Sequence, residues 1–429
     1  MTGVVKRSVY TALMPVFYRF HCLVLGLLLP LLWLPKINMI TVAGQYAGAR
    51  VDDGVLLLVA CMIIFTWRWE LFRLPWYLYA LGGFCILGVV SVAWNDGGLV
   101  GYAYALRLAE YAVFFVAGSL LANKPRFFAF YLAAYGLVTV IMVILQRYNL
   151  MPAFTTEDGL RWGIPSGLTG GTWEVGLVLA MLATAALQAP LSWRHKGLAL
   201  LLAGLGIAIS GARVPFVLLL GIAAIGKNWR RWVVALAVLP LMINFSPVGK
   251  RLAMLGSGDN IIAVRGIWNA ATPHMPVSDA YPLATATHTL LPLTDLSLLQ
   301  RTEKTAVAVK LFWHSRGTAA FWIGHGSGSR GPAVDMGYAR LLAENGIIGT
   351  LLLGSFFLGG LIILPLPTLV LLGNMLTLDA YLAYKVMTVY FLLLGFAKPH
   401  IAGCTIIKYT FSQRTAQSAA AEWPNKNNL

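Results

Sequence analysis

Charged residues are scarce in this sequence, and acidic ones are the scarcest. Only 16 of 429 residues are Asp or Glu, and charged residues of both signs make up 11%, against about 25% in an ordinary soluble domain. With 59% of the chain hydrophobic, there is too little charge to cover a surface in water, which excludes a soluble globular protein. Cysteine is also rare. Cys22, Cys61, Cys85 and Cys404 all lie in or beside apolar runs. They show neither CxxC nor Cys/His spacing, so they read as small buried apolar side chains rather than metal ligands. The seven His show no HExxH or paired metal spacing, and no Walker GKS/T is present. No internal repeat and no heptad pattern stand out.

What is present is a succession of long apolar runs: Cys22–Leu34, Trp76–Ala93, Phe127–Leu145, Leu168–Leu187 and Leu341–Leu364. A spanning helix needs about 20 such residues. The runs are continuous rather than alternating, so helices are expected and not the strands of a barrel. The expected fold is an all-α polytopic membrane bundle of about 10–12 spanning helices. Residues 365–378 read poorly because Pro365 and Pro367 interrupt them, whereas Asp379–Phe396 reads as a span despite Lys385.

The net charge is +16. No basic stretch is interleaved with stacking aromatics, so nucleic acid is not an expected partner. The basic residues instead recur at every second connection: Arg68 and Arg73, Lys124 and Arg126, Arg194 and Lys196, then Lys227, Arg230 and Arg231. By the positive-inside rule these connections and the N-terminus are cytoplasmic. Lys6, Arg7 and Arg19 precede a first apolar run with no small-residue cleavage site after it, which reads as a retained helix. Four regions follow: N-terminal spanning helices over 1–245, a long outward loop over 246–340, C-terminal spanning helices over 341–411, and a disordered cytoplasmic tail over 412–429. The long loop carries nine basic and five acidic residues, a net of +4 on the outward side. That excess either has no consequence, since long loops translocate regardless of charge, or suits a polyanion.

Charge in or beside a span is costly and usually kept for a use. Arg107 and Glu110 share a helix face as a self-neutralising pair or a site. Arg161 opens Arg161-Trp-Gly-Ile-Pro-Ser-Gly-Leu-Thr-Gly-Gly-Thr-Trp-Glu174, a glycine-rich stretch running into a helix. Close backbone approach beside an Arg fork suits phosphate. Arg213, in Ser210-Gly-Ala-Arg-Val-Pro215, either caps a turn or takes part in the same chemistry. A second glycine-rich stretch, Gly324-His-Gly-Ser-Gly-Ser-Arg330, contains His325 as a further candidate. Asp335 and Glu344 follow near the membrane surface, as general-base candidates or as helix N-terminal charge compensation.

These pieces, in this order, resemble the O-antigen ligase and polymerase family of bacterial membrane glycosyltransferases over most of the chain. Ala49-Arg-Val-Asp-Asp-Gly-Val-Leu-Leu57 resembles the start of the family's second helix, and Leu106–Phe115 its LRxxEYxxxF helix. Arg161–Glu174, Ser210–Arg213, Arg301 with Gly324–Gly328, and Asp335 through Gly349 resemble its later motifs. The resemblance implies a C-type glycosyltransferase fold in the bacterial inner membrane, with the long loop periplasmic and folded over a membrane-facing cavity. The implied donor and acceptor are lipid-linked oligosaccharides on undecaprenyl diphosphate. Transfer would need no metal, cofactor or nucleotide sugar, and a chain-length regulator protein is an implied partner beside membrane lipid. Arg161 and Arg301 would hold the diphosphate, because guanidinium forks can replace a metal in stabilising a leaving group's charge. Arg265 competes with Arg301 for that place, and Arg213 and Glu174 belong to the same set. Where the family's ligases carry a His that activates the acceptor, this chain has Asp335. The reading therefore leans to a repeat-unit polymerase over a ligase acting on lipid A core or protein. A flippase for the same glycan is the third reading. It needs no long outward domain and usually shows paired repeat halves.

Overall fold

The structure is a computed structural model. It describes residues 22–34, 38–42, 45–66, 74–155, 159–225, 258–275, 282–291, 294–329 and 336–397. The N-terminal basic residues, the tail, Cys404 and Asp335 lie outside these. The chain forms α1 (Cys22–Trp33), hairpin β1 (Asn38–Val42) and β2 (Gln45–Arg50), α2 (Val51–Thr66), α3 (Trp76–Trp94), α4 (Gly98–Leu121) and α5 (Pro125–Arg147). Then come hairpin β3 (Ala153–Thr155) and β4 (Gly159–Arg161), α6 (Thr172–Gln188), α7 (Trp193–Ser210) and α8 (Arg213–Ile225). The long connection supplies α9 (Gly258–Ala270), α10 (Pro282–Leu290), α11 (Leu296–His314) and α12 (Ala319–Ile323). After it follow α13 (Gly337–Ile363), α14 (Pro365–Asn374), a short 3-10 turn (Ala380–Leu382) and α15 (Tyr384–Ala397).

This is an all-α polytopic membrane bundle, and among the described residues strands are confined to two small antiparallel hairpins. Among the described residues, α3, α4, α5 and α13 are long and apolar enough to cross a membrane, and α1, α6, α8 and α15 are shorter apolar helices. The apolar run beginning at Leu168 does not start a helix there. Residues up to Gly171 form a buried loop, and α6 begins at Thr172. Pro365 starts α14 at its first turn, where a missing N–H costs nothing.

The helix α15 is the centre of the bundle. Every residue from Tyr384 to Gly395 is buried, as expected of a helix that is hydrophobic all round. Burial on every side makes it a core element. It packs chiefly on α4. Two glycines set the approach. A Cβ on Gly118 would overlap the Leu392 carbonyl, and one on Gly395 would overlap the Phe115 carbonyl. Ser119 Oγ donates across this contact to the Gly395 carbonyl at 3.3 Å. Small residues that let backbones meet are the usual basis of helix association in lipid. On α13, Gly359 and Gly360 make room for the Tyr77 ring and the Tyr390 hydroxyl.

Lys385 lies in this centre and is fully buried. Its Nζ donates to the carbonyls of Leu31 at 2.6 Å and Leu32 at 3.2 Å. Both belong to the last turn of α1, where carbonyls lack intrahelical donors and the helix dipole is negative. The residue that looked out of place in an apolar run thus caps another helix.

Gly118→Ala or Gly395→Ala should lower stability by about 1–3 kcal/mol through overpacking. Gly54→Ala and Gly354→Ala, where a Cβ meets no atom within 4 Å, should be near neutral. Thermal midpoints of the four purified variants in one detergent test this, and equal midpoints would refute the close-approach account.

Candidate functional site

Polar groups inside the bundle concentrate where the loop Gly324–Ser329 meets α13. The helix is broken there: Gly346 has φ 62° and ψ −166°. A Cβ on Gly346 would lie 2.6 Å from the Gly324 nitrogen, and one on Gly324 would overlap the Glu344 carbonyl. The two glycines therefore allow one backbone to lie directly on another. The loop then takes over hydrogen bonding that the broken helix gives up. His325 N donates to the Ala343 carbonyl at 3.0 Å and Gly326 N to the Glu344 carbonyl at 3.1 Å. Gly324, Gly326 and Gly328 all have φ between 77° and 94°, so each alternate position needs a residue without a side chain.

The loop is seated between α3 and α4 as well. Ser91 Oγ and Asn95 Nδ2 donate to the Gly324 carbonyl at 3.2 and 3.3 Å. Ser327 Oγ donates to Asn345 Oδ1 at 3.0 Å.

Beneath it lies a buried ionic cluster. Arg340 has no exposed surface; its Nε donates to Glu344 Oε2 at 3.1 Å and its Nη1 to Asp379 Oδ2 at 2.5 Å. The guanidinium sits 5.1 Å from the centre of the Tyr104 ring, within cation–π range. Glu344 Oε2 also accepts from Gly328 N at 2.9 Å. The anion held by this glycine-rich loop and an Arg fork is thus the chain's own Glu344. That bears on Glu344 as a base candidate: it is 1% exposed, and two charge-favouring donors already occupy Oε2. Its visible task is to latch the loop.

The earlier glycine-rich loop follows the same plan. Gln146 makes two bonds to Gly167, donating to its carbonyl at 3.1 Å and accepting from its N–H at 2.7 Å. Gly170 N donates to Glu174 Oε2 at 3.1 Å, and Glu174 is buried in the first turn of α6. Arg161 stands outside this packing, exposed at the end of β4.

Arg213, at the start of α8, pairs with Asp295 at 3.1 Å. Asp295 is also the N-cap of α11, accepting from Ser297 N and Leu298 N, and its own N–H bonds Asn260 of α9 at 3.0 Å. Arg213 therefore clasps α8 to the start of α11, a long-range ion pair rather than a cap on its own turn. Arg301 is half-buried on α11, and Arg265 is exposed on α9; the two helices pack together. His325 Nε2 lies 2.6 Å from Ser315 Oγ. Arg107 bridges Glu110 at 3.3 Å and Asp53 at 3.6 Å, so α2 joins the pair expected within one helix.

Arg340, Asp379 and Tyr104 were not among the residues singled out by sequence. The i,i+4 spacing of Arg340 and Glu344 at the start of an apolar run was the available signal. Nothing local pointed to Asp379. No family model matches this chain, and no curated protein matches it.

Arg340→Met should cost about 3–5 kcal/mol, because it strands two buried carboxylates. The triple change Arg340→Met, Glu344→Gln, Asp379→Asn should cost less than that single change. Thermal unfolding of the purified variants measures both, and a triple variant less stable than the single would contradict the charge argument. For the clasp, Arg213→Gln and Asp295→Asn, which keeps an N-cap acceptor, should each destabilise the protein, and the double variant should lose less than the sum of the two. Strictly additive losses would show that Arg213 acts on something other than Asp295.

Proposed function

We propose that the chain is a polysaccharide repeat-unit polymerase. It transfers a glycan from undecaprenyl diphosphate to the non-reducing end of another lipid-linked repeat unit. The reading places it in the bacterial inner membrane with the N-terminus cytoplasmic and the α9–α12 layer periplasmic, and it allows a chain-length regulator as partner. The observation that carries the proposal is the fastening of this layer to the bundle. Asp295 holds Arg213, the Gly324 carbonyl holds Ser91 and Asn95, and Gly328 holds Glu344. A flippase has no need of such a layer. A transferase that must hold a lipid-borne diphosphate at the membrane surface does, and this layer carries Arg265 and Arg301.

In this mechanism the acceptor hydroxyl attacks the anomeric carbon of the donor sugar. Its proton passes to a carboxylate, and the sugar–phosphate bond breaks with the electron pair leaving on undecaprenyl diphosphate. Guanidinium forks stabilise that charge, and Arg161 and Arg301 are assigned to it. Asp335 is assigned as the base in preference to Glu344, whose carboxylate is already engaged by Arg340 and Gly328.

Full-length protein reconstituted with a purified lipid-linked repeat unit should yield a ladder of products. Arg161→Ala and Arg301→Ala should each reduce extension about a hundredfold or more while inserting normally. Asp335→Asn should lower kcat far more than it changes KM. Wild-type ladders from both Arg variants would end the diphosphate assignment. A single shift on lipid A core would favour the ligase reading, and lipid movement without a new bond would favour the flippase.

A further inference from the structure

A groove of about 620 Å³ runs along α1 where it faces the junction of α4 and α5. One wall is α1, which contributes Cys22, Gly26 and Pro30 at four-residue spacing. The other wall includes Phe127 and Tyr131 of α5. A Cβ added at Gly26 would meet no atom within 4 Å, so the groove has free space at its middle. The walls are fixed to each other. Tyr131 Oη donates to the Leu29 carbonyl at 2.5 Å, and the Trp33 ring stands edge-on to Tyr131 and Tyr135 at 5.9 and 5.6 Å.

The groove is apolar except at one end. There Lys124, the N-cap of α5, lines it; Arg126 follows in the first turn, and both are exposed. The positive end of the α5 dipole adds to this. No lining residue is acidic, and the sequence holds no Asp or Glu before Asp52.

An apolar slot with a single lysine at one end is the complement of an acyl chain joined to a phosphate. We propose that this groove binds one anionic glycerophospholipid, with an acyl chain along α1 and its phosphate at Lys124. The site is separate from the loop and ionic cluster above and does not depend on the glycosyl-transfer reading. A zwitterionic lipid would fill the slot without matching the charge. Free phosphate would match the charge without filling the slot.

The test is native mass spectrometry of full-length protein purified in detergent, with phosphatidylglycerol, phosphatidylcholine or inorganic phosphate added separately. Wild type should retain one phosphatidylglycerol in preference to phosphatidylcholine. Gly26→Phe, which fills the slot, should lose retention of both lipids. Lys124→Gln, a change at an exposed side chain, should weaken phosphatidylglycerol about fivefold and leave phosphatidylcholine unaffected. Ile141→Phe, on the exposed side of α5 and outside the groove, should behave as wild type. Undiminished retention by Gly26→Phe would identify the lipid as part of a non-specific belt and overturn the proposal. So would equal retention of the two lipids by wild type, or displacement of phosphatidylglycerol by phosphate alone.

Discussion

A charge enclosed by hydrocarbon must be met by the chain that carries it, because water is not there to do so. This constraint organises the interior. Arg340 is met by Glu344 and Asp379, and Lys385 by the last carbonyls of α1. The Arg340–Asp379 and Lys385–Leu31 contacts each tie an element to another that is remote in sequence, so these ionic groups help decide which helices are neighbours, while glycine contacts such as Gly118 and Gly395 decide how closely they pack. A buried ion pair often adds little net stability over an apolar substitute. Its value here lies in excluding other arrangements, since a misplaced helix would leave a bare charge in the bundle.

The two glycine-rich loops follow from the same rule. A loop that enters a bundle brings N–H groups that need acceptors. In each loop, a carboxylate on the following helix supplies one: Glu174 for Gly170, and Glu344 for Gly328. In the second loop glycine, arginine and an anion come together, but the anion is the internal Glu344 and the arginine is Arg340. Arg161, Arg265 and Arg301 are exposed or half-buried, unlike Arg340, which is enclosed with its carboxylates.

Legibility in the sequence followed the range of the interactions. Continuous apolar stretches made α3, α5 and α13 plain, because spanning length and composition are local properties. The buried loop before α6 was missed because Leu168 extends an apolar run whether or not the backbone coils. At α15, Lys385 looked like a flaw, and its purpose depends on Leu31 at the other end of the chain. Among site residues, Glu344 was visible as a carboxylate near a helix start. Its partner Arg340 passed as one more loop cation, and Asp379, 39 residues from Arg340, could be connected to it only by the fold. The Arg213–Asp295 clasp spans 82 residues and was hidden for the same reason.

The contact between Lys385 and Leu31 spans 354 residues. A membrane protein is synthesised from its N-terminus, so α1 is made long before the lysine that completes its final turn. Until α15 arrives, the end of α1 has to borrow other donors, from the membrane interface or from the insertion machinery. The helix α15 is therefore also the bolt that closes α1, and a chain cut short before residue 385 would present an unfinished helix end to cellular quality control.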